Sequence, residues 1–497
     1  MSAAVASFPS PAAGTFLFLR SGVFLMSGLL RRPEPGRPRA TSALAWALTL
    51  CGASACSSPA RLAVSDGELV AAASARTSIE DVTRALELAD LGPLRLRVPT
   101  SLSELRPDQA EFWHASAYAW NPQLRVLRRR VRELREASRS AGKPGPIQTQ
   151  TMLLDPSDPA RELELIAMVD VLALVGVGPS AAARELAAAQ TRAALGQLEA
   201  RAWSLRFEVD RARVELAAAK SLETALGGLY ADCEQLVPRI EILTQRGWIA
   251  PGMSASALAA LHMVEHRQTM ARADVARLQR ELADLCGLDV AHPAFDEFAS
   301  GVIDRFRPDE VELTAPSTET LLENLPELRA MKLELAMAEA ELQREARMRW
   351  PMIGLGPRIV SMPDEFLLGP MLGVDVPFPG SLDGQIAAAR ERRDGAYEQL
   401  EGALVMARSR LTAAQRVYEH TLLLRDEHAP ETDRSVARML NAARAEFMVD
   451  PQMLERWSRA LAERIDTLAN VVRARADLVL AWLDWQEACG PREEEQP

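Results

Sequence analysis

Apolar residues recur at steps of three and four along two long stretches of the chain. This period predicts amphipathic helices that pack side by side along a coiled-coil seam. Two later stretches continue the same spacing and predict returning helices, so that each long helix has a partner in the chain. The seam positions are Leu195, Leu198, Ala202, Leu205, Val209, Ala212, Leu216, Ala219, then Val275, Leu278, Leu282, Leu285; and Leu400, Leu404, Ala407, Leu411, Ala414, Tyr418, then Ile465, Leu468, Val472.

Shorter segments alternate apolar and polar residues with a period of two, which predicts half-buried strands. The pattern alone leaves a soluble sheet and a membrane barrel equally open, because single barrel strands carry weak signals. The predicted apolar faces are Leu163, Leu165, Ala167, Val169 and Val171, then Ile353, Leu355 and Ile359, then Leu372, Val374, Val376 and Phe378. The opposite faces carry Glu164 and Asp170, then Gly354, Gly356 and Arg358, then Gly373 and Asp375.

The chain is an internal duplication of about two hundred residues. The segment "NPQLR" at Asn121 aligns with "LPELR" at Leu325, and "AAARE" recurs at Ala181 and Ala387. The segments "VDV" and "CG" also recur, and the offsets of the four pairs are 204, 206, 205 and 203 residues. Each half therefore has the same predicted order: a helix, two strands, a long helical run, a break and a second helical run.

The breaks in the helical runs contain proline or glycine. The segment "QRGWIAPGMS" places Gly247, Pro251 and Gly252 at the midpoint of the first run, where a helix does not tolerate them, and predicts a hairpin tip. The equivalent tip of the second half is "FMVDPQM". Pro238 and Pro430 interrupt the outgoing arms at related places and predict helix restarts, since proline suits a first helical turn.

The N-terminal segment reads as an export signal. Four arginines (Arg31, Arg32, Arg37 and Arg39) precede the apolar run "ALAWALTLCGASA", which is too short to span a membrane. Cys56 follows in "ASAC", which resembles the lipobox of bacterial lipoproteins, whose cysteine is acylated after cleavage. The start codon is Met1 or Met26, because residues 1–25 place apolar residues ahead of the basic region.

Composition narrows the function classes. The formal net charge of -11 argues against a nucleic-acid partner, and the arginine-rich segment from Arg125 to Arg135 is interpreted as a solvated helix face. Cys233, Cys286 and Cys489 would remain after processing; this odd, scattered set predicts buried thiols rather than a disulfide framework. No phosphate loop or nucleophile motif is found in the sequence, so we expect no enzyme and no cofactor.

The order of these motifs resembles the TolC-like outer membrane efflux proteins over roughly residues 105–490. The residues that carry the resemblance are "NPQLR", "LPELRAMKLELAMAEAELQREARMRWPMIGLGPRIV", "GVDVPF" and "QRGWIAPGMSASALAAL". The resemblance implies a mainly α chain with a small β part: duplicated coiled-coil hairpins and four transmembrane strands, three copies of which form one α/β barrel. It also implies an exit duct working with a periplasmic adaptor and an inner-membrane pump.

The resemblance assigns roles to several residues. Lipidation, with palmitate as one acyl group, falls on Cys56, and Glu164, Asp170, Arg358 and Asp375 would line the barrel lumen, with solvated strand positions as the alternative. Arg456 and Arg459 stand about where family members carry acidic aperture residues, and the second tip lacks the usual Tyr-x-x-Gly. The expected adaptor-docking tips contain Gly247, Trp248, Ile249, Pro251, Gly252, Val449, Asp450 and Pro451.

Two other patterns suggest metal sites. "HMVEH", with His262, Glu265 and His266, matches the H-x-x-E-H pattern of zinc proteases. The pattern is short and no third ligand is identifiable, so a solvated pair beside the seam is the preferred interpretation. Met348, Met352, Met362 and Met371 allow copper traffic, but methionine is common apolar filling material. We therefore predict no metal.

Two functions are compatible with these patterns: a lipid-anchored outer membrane channel that exports small molecules passively, and a non-conducting periplasmic coiled-coil lipoprotein with a structural or adaptor role.

The sequence predicts the following organisation: signal peptide 1–55; extension 56–104; first repeat 105–297 with strands about 145–174 and tip about 246–253; linker 298–319; second repeat 320–490 with strands about 350–378 and tip about 447–452; and acidic tail 491–497.

Overall fold

The computed structural model describes residues 106–141, 148–153, 163–172, 177–298, 303, 313, 315–361, 366–378, 380–425 and 429–491. The chain divides into two units, residues 1–69 and 70–497, and all described residues belong to the second. The predicted signal peptide, Cys56, the extension and most of the linker lie outside the described residues, as do residues 492–497 of the acidic tail.

The described residues contain ten α-helices and four strands. The helices are α1 Ala110–Trp120, α2 Pro122–Ser140, α3 Pro179–Glu234, α4 Val237–Gln245, α5 Pro251–Cys286, α6 Thr318–Asn324, α7 Pro326–Arg347, α8 Asp383–Leu423, α9 Ala429–Val449 and α10 Leu454–Cys489. The strands are β1 Gln148–Leu153, β2 Leu163–Asp170, β3 Met352–Ser361 and β4 Phe366–Asp375. The prediction of a mainly α chain with a small β part is confirmed.

The duplication is visible in the order of elements. The first half runs α2, β1, β2, α3, α4, α5, and the second half runs α7, β3, β4, α8, α9, α10. Both proline predictions are confirmed, because Pro238 and Pro430 are the second residues of α4 and α9. A proline here costs no hydrogen bond, since the first helical N–H groups have no partner within the helix.

The four strands form one antiparallel sheet in the order β1-β2-β3-β4. Strand β2 pairs with β3, so the sheet joins the two halves of the duplication. Val171, predicted as a strand residue, instead follows the end of β2 in a helical turn with Leu172. The edge strands β1 and β4 each pair on one side only within the described residues.

The predicted seam positions are buried or half-buried. The central positions of α3 (Leu198, Ala202, Leu205, Val209, Leu216) pack with Leu278 and Leu282 of α5 and with aromatic residues of α1 in one cluster. In the second half, Ala407, Leu411 and Tyr418 are buried, and Leu400, Leu404 and Ala414 are partly buried. Much of each seam is alanine, which allows the helix backbones to approach closely.

The arginine-rich face of α2 is largely exposed, with one exception. Arg128 is buried and donates a hydrogen bond to the backbone carbonyl of Tyr118. Burial, together with the nearby charges of Arg132 and Arg125, lowers the pKa of Arg128 to about 10. The interpretation of the whole segment as a solvated face is therefore wrong at Arg128, because that side chain joins α2 to α1.

Of the three predicted buried thiols, two are buried and one is half-buried. Cys233 and Cys286 are buried, whereas Cys489 is half-buried, and all three are free. Burial raises the pKa of Cys233 to about 11 and raises that of Cys286 as well. These two thiols stay protonated at neutral pH and behave as apolar packing groups.

A buried charged group fixes α1 to α3. The Asp210 carboxylate lies 2.9 Å from His114 Nε2 and accepts a hydrogen bond from Arg213 Nη1 at 3.0 Å. Burial raises the pKa of Asp210, but His114, Arg213 and Arg206 outweigh it and hold the pKa below its usual value. This group was not predictable from the sequence, because the charged residues Asp210 and Arg213 belong to a helix whose neighbouring seam residues are apolar.

We expect Asp210→Asn to lower the free energy of unfolding at neutral pH by about 3 kcal/mol, because it leaves Arg213 without its carboxylate. A carboxyl with a depressed folded-state pKa stabilises the fold above its unfolded pKa of about 3.9 and loses that contribution as the pH falls through the folded-state pKa. Wild-type stability therefore decreases below about pH 4 more steeply than that of Asp210→Asn. Unfolding midpoints measured from pH 6 to pH 3 check this, and parallel pH profiles would contradict it.

Candidate functional site: the sheet faces and the hairpin tips

One face of the sheet is apolar and exposed. Strand register pairs Ile353 with Val374, Leu355 with Leu372 and Ile359 with Leu368, so these residues share one face. Leu368 and Leu372 are 68% and 65% exposed, and Phe378, beyond the end of β4, is 85% exposed. An exposed apolar patch of this kind on a single chain marks a surface that contacts a membrane or another protein chain.

The opposite face holds all four residues predicted to line a lumen. Glu164 pairs with Val360, Asp170 with Gly354, and Met352 with Asp375, which places the three acidic positions on the face of Arg358. Arg358 and Asp375 are exposed. The face is not uniformly polar, because Ile166, the register partner of Arg358, is buried there. Three glycines of β3 and β4 also lie on this face and contribute no side chain to it (Gly354, Gly356 and Gly373).

The first tip is a sharp turn between α4 and α5. Gly247 has φ +74°, its N–H donates to the Thr244 carbonyl, and the Trp248 N–H donates to the Leu243 carbonyl at 2.9 Å. This is a Schellman cap, which favours glycine at the left-handed residue. Trp248 is 63% exposed directly after the turn.

Three tip residues do not have the predicted roles. Ile249, expected as a docking group, is only 2% exposed and packs in a cluster with Phe447 and Trp457 of the second hairpin. Pro251 begins α5, and Gly252 is an ordinary helical residue with open space around it. The reversal is therefore made by residues 246–250, with Gly247 as its left-handed residue.

The second tip is closed without glycine. Asp450 has φ −119° and its carboxylate accepts from the Gln452 N–H at 2.9 Å, capping a 3-10 turn that begins at Pro451. Val449, the last residue of α9, is 87% exposed. Asp450 thus replaces the glycine cap of the first tip, which explains how the hairpin tolerates the missing Tyr-x-x-Gly.

The two tips are held together. The Arg239 Nη2 of α4 donates to the Met448 carbonyl at 2.7 Å, and the buried cluster around Ile249 spans both hairpins. The contact of Arg239 was not predictable from the sequence, since its partner is a backbone carbonyl and any residue type can supply one. The result is a joint end surface from which Trp248 and Val449 project.

Comparison of the sequence with models of protein families and with curated proteins finds no match. The fold, in contrast, is similar to several solved structures. An outer membrane channel from Campylobacter jejuni, CmeC, matches with a TM-score of 0.63 at 14% identity, covering 77% of this chain and 85% of that one. The open state of the MtrE outer membrane channel from Neisseria gonorrhoeae matches at 0.64 and 15% identity, covering 80% and 94%.

A membrane protein from Pseudomonas aeruginosa matches with a TM-score of 0.66 at 16% identity, covering 77% of this chain and 92% of that one. The chain has the TolC-like fold. The likeness covers 92%, 85% and 94% of the three solved chains. None of the helices in the described part of this TolC-like chain has the length and apolar character of a membrane-spanning helix.

In this TolC-like chain, Arg456 and Arg459 both have carboxylate partners. Arg456 Nη1 contacts Glu446 Oε2 at 2.6 Å, across the second tip from α10 to α9. Arg459 Nη2 contacts Glu455 Oε1 at 3.1 Å, one turn away on the same helix. Both arginines are exposed, so the pairs leave them accessible from solvent.

The histidine pattern on α5 lies on a solvated surface. His262 and Glu265 are 74% and 56% exposed, and their closest side-chain atoms are 3.4 Å apart. His266 is also exposed. Among the described residues, no group of three or more histidine, cysteine or acidic side chains is arranged to hold a metal ion.

Proposed function

We propose that the chain is the outer membrane exit duct of a tripartite efflux or type I secretion system, which passes small molecules out of the periplasm passively. The exposed apolar face of the four-stranded sheet carries this proposal, because it lies opposite a face with charged and glycine residues. Alternation of this kind is the signature of a strand between lipid and a water-filled lumen.

Closure of the barrel requires more than one copy. In lipid, the unpaired edges of β1 and β4 would each cost several kcal/mol per unsatisfied backbone group, so the sheet must continue into another copy. Three copies would supply twelve strands, and the long hairpins would extend from the barrel into the periplasm as a helical tube. Arg358, Asp375, Glu164 and Asp170 would then face the lumen.

The hairpin tips would meet the partners. We assign docking of the periplasmic adaptor to the end surface that carries Trp248 and Val449, and control of the aperture to Arg456 and Arg459. An inner-membrane pump would supply the energy. Lipidation of Cys56 would anchor the chain to outer membrane lipid. Two of the similar solved proteins, CmeC and MtrE, are described as outer membrane channels.

The test is the state of the protein in the outer membrane. We expect heat-resistant trimers that need detergent for extraction, in the wild type and in Cys56→Ser alike, because the sheet itself would hold the trimer in lipid. Release of a Cys56→Ser monomer without detergent would instead support the second function, a non-conducting periplasmic lipoprotein anchored by its acyl chains alone. Mass measurement of the extracted and released fractions distinguishes the two outcomes.

A further inference from the structure

Two methionines stand at the end surface, next in sequence to the residues that form it. Met448 precedes Val449 at the end of α9, and Met453 ends the 3-10 turn that Pro451 begins. Their side chains are 44% and 37% exposed. A thioether is apolar and polarisable, which suits a surface that another protein covers. The end surface therefore exposes two reactive sulfur atoms.

The thiols of the chain are less accessible than these thioethers. Cys233 and Cys286 are buried, and burial raises the pKa of both. A thiol reacts as its thiolate, so these two groups are slow nucleophiles at neutral pH. The half-buried Cys489 ends α10, about 50 Å along that helix from the second tip. A thioether needs no deprotonation, so Met448 and Met453 are the best placed of these sulfur groups to react with a dissolved oxidant.

We propose that Met448 and Met453 form a reversible oxidation site, at which hypochlorous acid produces methionine sulfoxide and thereby weakens docking. The inference rests on the proposed function, because it concerns the regulation of the same end surface. In the net reaction, the oxygen of hypochlorous acid bonds to the methionine sulfur and the bond between oxygen and chlorine breaks. Chloride leaves with the electron pair, and the proton passes to water. Sulfur loses the two electrons that chlorine gains.

Oxidation would change the surface and leave the tip folded. The contact from Arg239 Nη2 is made to the backbone carbonyl of Met448 and not to its side chain. Beneath the surface, the buried rings of Phe447 and Trp457 stack with their centroids 6.4 Å apart. Neither contact uses a thioether sulfur, so both persist after oxidation.

The sulfoxide opposes docking because it is polar where the thioether is apolar. Its oxygen is a hydrogen-bond acceptor, and an adaptor that covers an apolar surface would bury this acceptor without a donor. One such unsatisfied group weakens docking about tenfold. A methionine sulfoxide reductase removes the oxygen and would restore the apolar surface.

Two methionines elsewhere on the first hairpin provide a matched control. Met263 and Met270 of α5 are 41% and 53% exposed, which is similar to the exposure of Met448 and Met453. They follow the first residue of α5, Pro251, by about 20 and 30 Å along the helix. Oxidation of this control pair should therefore be as rapid but should not affect docking at the tip.

Peptide mass spectrometry tests the site itself. After brief treatment of isolated outer membranes with hypochlorous acid, Met448 and Met453 should be oxidised to a larger fraction than the half-buried Met253 and Met439. Methionine sulfoxide reductase with a thiol reductant should reverse the change. Equal oxidation of all four residues would overturn the proposed site. This measurement requires no export and is independent of the proposed function.

Paired substitutions test the consequence for export. Met448→Gln with Met453→Gln places polar amides at the end surface and should reduce export, whereas Met263→Gln with Met270→Gln should not. Met448→Leu with Met453→Leu keeps the surface apolar at similar volume, so it should keep export and make it resistant to hypochlorous acid. Susceptibility of the cells to exported compounds, with and without the oxidant, measures all three pairs.

Three results would overturn the inference: full export by the glutamine pair at the tip, an equal loss in the control pair, or a leucine pair as sensitive to the oxidant as the wild type. Failure of the proposed function has a different signature. In that case, deletion of the whole chain would leave export unchanged, while the mass measurement would still show whether Met448 and Met453 are oxidised first.

Discussion

Cells that depend on this chain for export are expected to lose that export when Trp248 is replaced by Asp, although trimers still form. Trp248 is 63% exposed at the first tip, so the substitution removes no core contact. It does place a charge on the apolar end surface where the adaptor is proposed to dock, and burying an unpaired carboxylate at an interface is strongly unfavourable. Susceptibility of the cells to exported compounds measures the effect.

Gly247→Pro should have the same outcome for a different reason. Gly247 has φ +74° and donates its N–H to the Thr244 carbonyl, whereas proline fixes φ near −65° and has no N–H. The turn at the tip would change its conformation, while the helices of the two hairpins would stay paired. Trp248→Phe is the matched control and should keep export, because it preserves an apolar ring. Export that persists with both Trp248→Asp and Gly247→Pro would show that the tip is only a turn.

The second large effect is on stability. We expect Gly287→Ala to lower the free energy of unfolding by about 3 kcal/mol. Gly287 ends α5 with φ +65°, and a Cβ there would lie 2.8 Å from the Trp120 carbonyl oxygen and 2.9 Å from Trp120 Cβ. Alanine at this position would be strained in the left-handed conformation, and its Cβ would also clash with the backbone between α1 and α2. That backbone cannot move without loosening the buried aromatic cluster.

Other glycines of the chain provide graded controls. Gly490, the equivalent of Gly287 in the second repeat, has φ +78° and ψ 175°, a conformation almost confined to glycine, and its nearest neighbours lie at 3.3 Å, so Gly490→Ala should show the cost of backbone strain without the full clash. Gly247→Ala, with φ +74° and open space, should cost about 1 kcal/mol from strain alone. Gly228 lies in the middle of α3 with open space around it, so Gly228→Ala should raise the free energy of unfolding by up to about 1 kcal/mol. Thermal unfolding of the four variants checks the order, and an equal effect at Gly287 and Gly247 would contradict the clash.

Local patterns predicted most of this fold. The steps of three and four that mark Leu198, Leu205 and Val209 are set by the geometry of one helix, and these residues are buried as predicted. The alternation in β3 likewise placed Leu355 and Arg358 on opposite faces. Proline at the second position of α4 and α9 is also a local requirement, which is why both restarts were predictable.

Contacts between distant segments could not be predicted in this way. Ile249 follows the exposed Trp248 in sequence, but it is buried because the second hairpin brings Phe447 and Trp457 over it. Arg128 is buried because α1 folds back and offers a carbonyl. Asp210 is ionised inside the fold only because His114 and Arg213 meet it there. In each case the deciding partner lies elsewhere in space, and no spacing along the chain encodes it.

The central claim is that copies of this chain enclose a continuous water-filled duct. The most direct measurement is the single-channel conductance of detergent-extracted trimers in planar bilayers. We predict discrete, long-lived conductance steps, with an ion selectivity that changes when Arg358→Glu reverses a charge on the proposed lumen face. Trimers that insert into the bilayer without any conductance step, or a wild-type protein recovered only as a monomer, would contradict the claim.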